Sequence, residues 1–245
     1  MSQFFAKDYS GQPFELFSIS HLIAIGCIIL VLAIIFIFRN RMSERVKKTI
    51  RYTLAAVLVI NETGWHLWNL SIGEWTLQTM LPFHLCSILV WLSAYMLVKK
   101  NLYIYEFAYL LGIMGALQAV LTPDLGMYSF PHYRFIQTFI SHGSIIIAAL
   151  YLTWVEGFRP VPASIVRVIV GTNIYAALVG GVNWLIGSNF LYIAHKPPTA
   201  SLLDMLPAWP IYLIYLEGMA VALILLMYVP FAIQDMRTKK QLAIA

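Results

Sequence analysis

Seven stretches of this 245-residue chain, at about 18–38, 50–70, 80–98, 103–121, 134–154, 164–187 and 208–230, are apolar for long enough to cross a hydrocarbon core of roughly 30 Å. In that medium a backbone has no water to satisfy its N–H and C=O groups, so a spanning segment is either a helix or a strand of a closed barrel. Barrel strands need only about 9–11 residues, and these runs are about twice that. The sequence therefore predicts an all-α, polytopic membrane protein of seven transmembrane helices. No loop is long enough for a further domain, so residues 1–245 are expected to form a single membrane domain. With 60% hydrophobic and 11% charged residues, the chain has about half the charge of a soluble domain.

The sparse charge is unevenly placed. Thirteen of the 16 Lys and Arg fall in alternate loops and at the C-terminal end, six of them in "RNRMSERVKKTIR" (39–51). By the positive-inside rule this puts the N-terminus outside and the C-terminus in the cytoplasm. The same distribution excludes a nucleic-acid surface, because the net charge of +5 sits at span ends and forms no aromatic-interleaved patch. That basic loop is expected to set topology and to touch anionic lipid. The polar N-terminal stretch "MSQFFAKDYSGQPFE" lacks the form of a cleaved signal, so the first run is expected to stay as an anchor. Cys27 and Cys86 both lie in apolar runs and are expected to be thiols, with no disulfide framework.

With this orientation the polar residues gather on one side. Asn61, Glu62, His66 and Asn69 fall in the outer half of span two, His84 and Cys86 in the first turns of span three, and Gln118 and Asp124 at the outer end of span four. His132, Arg134, Gln137 and His142 open span five, and Asn183, Asp204 and Glu217 fall in or between the outer halves of spans six and seven. Ionisable groups at a span centre cost about 2.5–3.5 kcal/mol each on insertion scales, so they face a bundle interior or a wet cavity. Glu62, His66 and Asn69, at i, i+4 and i+7, share one helical stripe. The expectation is a polar pocket near the outer leaflet, with the cytoplasmic half packed apolar. Glu106 is expected to pair with the lysines at 99–100, and Glu156 and Arg159 to brace the turn after span five.

In "LPFHLCS" (81–87), Pro82 suits the first turn of a helix, which sets Cys86 near a helix N-terminus, where an anion is favoured. His142 begins at a depth that Cys86 can reach from the neighbouring span. A thiol beside an imidazole suits acyl transfer, with Arg134 or an amide to hold a phosphate or an oxyanion. The residues equally allow Cys86 to be a small apolar side chain.

"LPFHLCS", "GALQAVLTPDL" (115–125), "FPHYRFIQTFISHG" (130–143), "YLTWVEGFRP" (151–160) and "SLLDMLPAWPIYLIYLE" (201–217) together resemble the YwaF-type bacterial integral membrane proteins, over nearly the whole chain. That family is similar to the vertebrate transmembrane protein 164 group and, more remotely, to the androgen-induced-type lipid ester hydrolases. The resemblance implies a multi-pass protein of the bacterial cell membrane with phospholipid acyltransferase-like activity on membrane lipid. It implies His142, in "FISHG", as the family histidine and a cysteine nucleophile in the span-three motif, where this chain has Phe83 before His84 and the thiol Cys86 three residues on. Cys86, His142 and His84 are thus the candidate catalytic residues.

Two other classes compete. Short echoes between the halves ("SISH" with "FISH", "LSIG" with "WLIG") suggest a parallel helix repeat and a small-molecule transporter or binding protein. Against this, Pro82, Pro123, Pro131 and Pro230 are expected at span ends, with no broken middle. A metal-dependent hydrolase would use His66, His84, His132 and His142 with Glu62 or Asp124, but no HxxxH or HExxH spacing is present. No metal and no cofactor are expected.

Overall fold

A computed structural model describes residues 3–197 and 202–242 and contains, among them, helices and no strand. Seven long helices follow the seven apolar runs: α1 (Ile19–Phe38), α2 (Glu44–Ser71), α3 (Leu85–Lys99), α4 (Leu102–Leu121), α5 (Tyr133–Trp154), α6 (Pro162–Ile186) and α7 (Tyr212–Leu242). Five of them, α1, α4, α5, α6 and α7, are long and apolar enough to cross a membrane. α3 is apolar but has 15 residues, and the 28-residue α2 is diluted by its charged first turns and, farther on, by Asn61, Glu62, His66 and Asn69.

The ends are written in the sequence. Ser43 caps α2, accepting from the Val46 N–H, and Asn101 caps α4, accepting from Ile104 at 3.0 Å. α6 opens with Pro162, and the Ser164 hydroxyl accepts the Val161 N–H at 2.8 Å. It closes at Gly187, whose φ of +67° is the left-handed conformation that glycine adopts without strain. Within α4, residues Ala108–Gly112 form a π-turn, and Gly112 lets Leu89 of α3 approach so closely that a Cβ there would lie 2.9 Å from it.

Two proline expectations are corrected. Residues 81–84 form a turn and α3 starts only at Leu85, so Pro82 precedes the helix and lies outside its first turn, and His84 lies before it. α7 runs on past position 230, so Pro230 lies inside a helix and marks no span end. Its ring leaves the carbonyl four residues earlier without the usual donor.

The chain divides into two compact units. The first comprises Met1–Trp75 and Leu85–Phe158. Its centre is α5, on which α1, α2, α3 and α4 all pack. α5 has 78% of its apolar window buried against 11% for α1. The N-terminal segment belongs to this unit: the Trp68 indole donates to Phe5 O, Tyr128 to Lys7 O, Ser129 to Gln12 O, and Phe14 N–H to Gly126 O. Lys7 and Glu74 form an ion pair beside it. The second unit comprises Thr76–His84 and Arg159–Ala245. In it α6 packs on α7, and Asn173 of α6 donates to Glu217 of α7 at 2.9 Å.

Candidate functional site

The stripe expected on α2 is real, but its members have different partners. Glu62 is buried, with its carboxylate 3.8 Å from His66 Nε2. His66 Nδ1 accepts the Trp75 indole N–H at 3.0 Å, so the proton of the neutral ring sits on Nε2, facing Glu62. Asn69 turns back on its own helix and donates to Trp65 O. Asn61 reaches across to α5, donating to Gln137 O at 3.1 Å.

α5 packs against α2 here. Arg134 is half-buried, lies over the Trp65 ring with its guanidinium carbon 4.1 Å from the centroid, and donates to Gln137 Oε1 at 2.7 Å. Its charge interacts with those of Glu62 and Asp124, and the Glu62 charge also reaches the Cys86 thiol. Glu62 on α2 thus lies within electrostatic range of both Arg134 on α5 and Cys86 on α3. Cys86 is the second residue of α3 and is half-buried. His142, two and a half turns into α5 and also half-buried, couples to Arg134.

The ring nitrogens separate the histidines. His21 Nδ1 accepts from Phe17 N–H and its Nε2 donates to Val120 O. His132, which caps α5, accepts from Arg134 N–H at Nδ1 and donates from Nε2 to Ala6 O at 3.0 Å. His132 stacks on Tyr128 and meets the edge of Trp68, so both of its nitrogens are spent on holding the N-terminal segment. His142 is the reverse case: Nδ1 lies 2.8 Å from the Thr138 carbonyl and must donate to it, which leaves Nε2 unprotonated in the neutral ring. Among the described residues no hydrogen bond reaches that nitrogen, and none joins it to Cys86.

The remaining candidates lie elsewhere. Gln118 is exposed and bonds to Thr122 of the same turn, and Asp124 is in the exposed loop after α4. Four belong to the second unit. His84 accepts from Leu191 N–H and packs between Phe190 and Tyr192. Asn183, buried, donates to Phe190 O and accepts from Ser188 and Phe190 N–H, organising the loop after α6. Asp204 is exposed, and Glu217 is held by Asn173. No three His, Cys, Asp or Glu side chains converge as metal ligands among the described residues.

The expectation of an apolar opposite half is overturned. Arg51, buried on α2, lies 3.2 Å from Glu156 and donates to Leu97 O, and Lys100 pairs with the other Glu156 oxygen at 2.5 Å. Glu156 thus joins cations from α2 and the end of α3, and Arg159 pairs with Asp235 of α7 at 2.5 Å. These ion-pair partners lie 56 to 105 positions apart, and no local pattern in the sequence announces them.

A family model described as the TMEM164 family matches residues 16–228. Searches of curated proteins and of solved structures give no match.

Proposed function

The chain belongs to the TMEM164 family, and on that premise we propose that its α2–α3–α5 polar cluster carries out thiol- and histidine-dependent acyl transfer from, or hydrolysis of, a membrane lipid ester. In this reading the chain crosses the bacterial cell membrane seven times, with its N-terminus outside and its C-terminus in the cytoplasm, as the bias of Lys and Arg between alternate loops favours. α2 and α3 cross alongside the five helices that are long and apolar enough by themselves. The cluster then opens toward the outer leaflet.

The observation that supports the chemistry is the proton arrangement of His142. With Nδ1–H committed to Thr138 O, Nε2 carries the lone pair that a general base needs. His142 takes the proton of Cys86, whose sulfur attacks the ester carbonyl carbon; the carbon–oxygen bond to the lipid alcohol breaks, and the alkoxide leaves with the proton held by His142. A thioester on Cys86 remains. An incoming alcohol, or water, gives its proton to His142 as its oxygen bonds to the acyl carbon; the carbon–sulfur bond breaks, and His142 returns the proton to the Cys86 sulfur. Arg134, stacked on Trp65, is the cation available to a phosphate or to the developing oxyanion. Cys86 and His142 are not hydrogen-bonded to each other, so substrate binding or a rotation of the Cys86 side chain must close the gap.

The test is labelling of the purified chain in nanodiscs with an alkyne fatty-acyl phospholipid. Hydroxylamine-sensitive labelling of the wild type that disappears in Cys86→Ala supports the reading. Labelling that persists in Cys86→Ala removes the thiol from the mechanism.

A further inference from the structure

The exposed side of α2 carries a second arrangement, separate from the polar cluster. Arg45, Lys48, Thr49, Tyr52, Thr53 and Ala56 repeat at helical spacing along one exposed stripe and line a shallow groove of about 570 Å³. The other cations of this helix segment are neutralised. Lys47 pairs with Glu44, and Arg51, turned inward, with Glu156. Arg45 and Lys48 make no ion pair among the described residues, so two uncompensated cations stand with two threonine hydroxyls at the charged end of the groove. Lys48 also lies 5.9 Å from the Tyr52 ring centroid, above which the stripe turns apolar. It continues through Ala56 to Val59 and to Ile60, which is 71% exposed.

We propose that this stripe binds an anionic phospholipid of the leaflet that meets the loop between α1 and α2. The cations and hydroxyls take the phosphate and its headgroup, the Tyr52 ring lies at the level of the glycerol, and one acyl chain runs over Ala56, Val59 and Ile60. Charge complementarity selects an anionic ligand over a zwitterionic one. The apolar continuation selects a lipid over a free phosphate, which would leave the lower half of the stripe unused. The site lies on the face of α2 turned away from Leu58 and Glu62, so it does not depend on the acyl chemistry.

The purified full-length chain is exchanged into mixed phosphatidylcholine and phosphatidylglycerol, and the retained lipids are counted by native mass spectrometry. The wild type is expected to retain phosphatidylglycerol preferentially. R45Q/K48Q should lower that retention about tenfold or more, and Ile60→Asn should lower it with the cations intact. Lys47→Gln, whose cation is already paired, should leave it unchanged, with thermal melts confirming that each variant is folded. Equal retention of the two lipids, or full retention by R45Q/K48Q, overturns the proposal. Displacement of phosphatidylglycerol by millimolar inorganic phosphate overturns it as well, because the site would then recognise an anion and no lipid.

Discussion

His142 Nδ1 lies 2.8 Å from the carbonyl oxygen of Thr138, one turn earlier on α5. The carbonyl can only accept, so the contact fixes the tautomer and presents Nε2 as a base. A base at that nitrogen contributes about 10²–10⁴-fold where it acts. His142→Gln keeps a side chain of similar reach without a titratable nitrogen, and acyl labelling of Cys86 is expected to slow by about 100-fold or more. Thr138→Val leaves the carbonyl in place and should stay close to the wild-type rate. Equal rates for His142→Gln and the wild type would remove His142 as the base.

The second prediction concerns the opposite end of the first unit. Glu156 is 7% exposed and serves both Arg51 and Lys100, whose side chains are 10% and 40% exposed. Removing the carboxylate leaves Arg51 as a buried cation without its counter-charge, a change that costs about 3–5 kcal/mol for buried pairs. Glu156→Gln is therefore expected to lower the melting temperature strongly. Lys100→Gln, at a solvated position, should cost less than about 1 kcal/mol. Differential scanning fluorimetry of the two variants in the same detergent compares them directly, and similar melting temperatures would refute the asymmetry.

How much of this was legible beforehand follows from the range of each interaction. Helices α1 to α7 could be read because each follows a local run of apolar residues, and five of them are long and apolar enough to cross a membrane. The stripe of Glu62 and His66 could be read because it needs only the helical period. The start of α3 could not. Pro82 is compatible with a first turn, but residues 81–84 form a turn of their own, and His84 falls to the second unit while Cys86 stays in the first. Arg51 with Glu156, and His132 with Ala6, are separated by about a hundred positions or more, so only the packed helices bring them together. His66, His84, His132 and His142 looked like one set in the sequence. Hydrogen bonds to their ring nitrogens, which the sequence does not encode locally, separate His132, a staple for the N-terminal segment, from the open base of His142.

A third prediction follows from His132. Burial among Tyr9, Trp68 and Tyr128 holds its pKa below the ordinary 6.5, because the enclosed ring disfavours the charged form. The folded state thus binds this proton less readily than the unfolded chain does. Well above pH 6.5 both states are neutral and the contribution is complete; as the pH falls through 6.5 the unfolded state takes up its proton first, and stability is lost. The ring holds Ala6 O, so the loss should appear at the N-terminal segment. Limited proteolysis of that segment, normalised to an unstructured peptide at each pH, is expected to accelerate from pH 7.5 to 5. In His132→Asn the rate should be higher at pH 7.5 and nearly flat with pH, whereas a flat profile in the wild type would contradict the assignment.

A final prediction concerns a close approach of α2 to α5. A Cβ added at Gly64 would lie 2.8 Å from the Tyr133 hydroxyl, nearer than two unbonded atoms can stand. That hydroxyl is buried and has no hydrogen-bond partner among the described residues, and its ring packs against Phe4, Phe5 and Trp68. Gly64→Ala must therefore push the ring against these neighbours, at about 1–3 kcal/mol for an overpacked contact. Removing an unpaired hydroxyl costs little, so Tyr133→Phe alone should be neutral or slightly stabilising. It also takes away the atom that clashes. The double variant should consequently recover most of the stability lost in Gly64→Ala, a coupling that a double-mutant cycle of melting temperatures measures. Additive losses would show that the methyl meets something other than the Tyr133 hydroxyl.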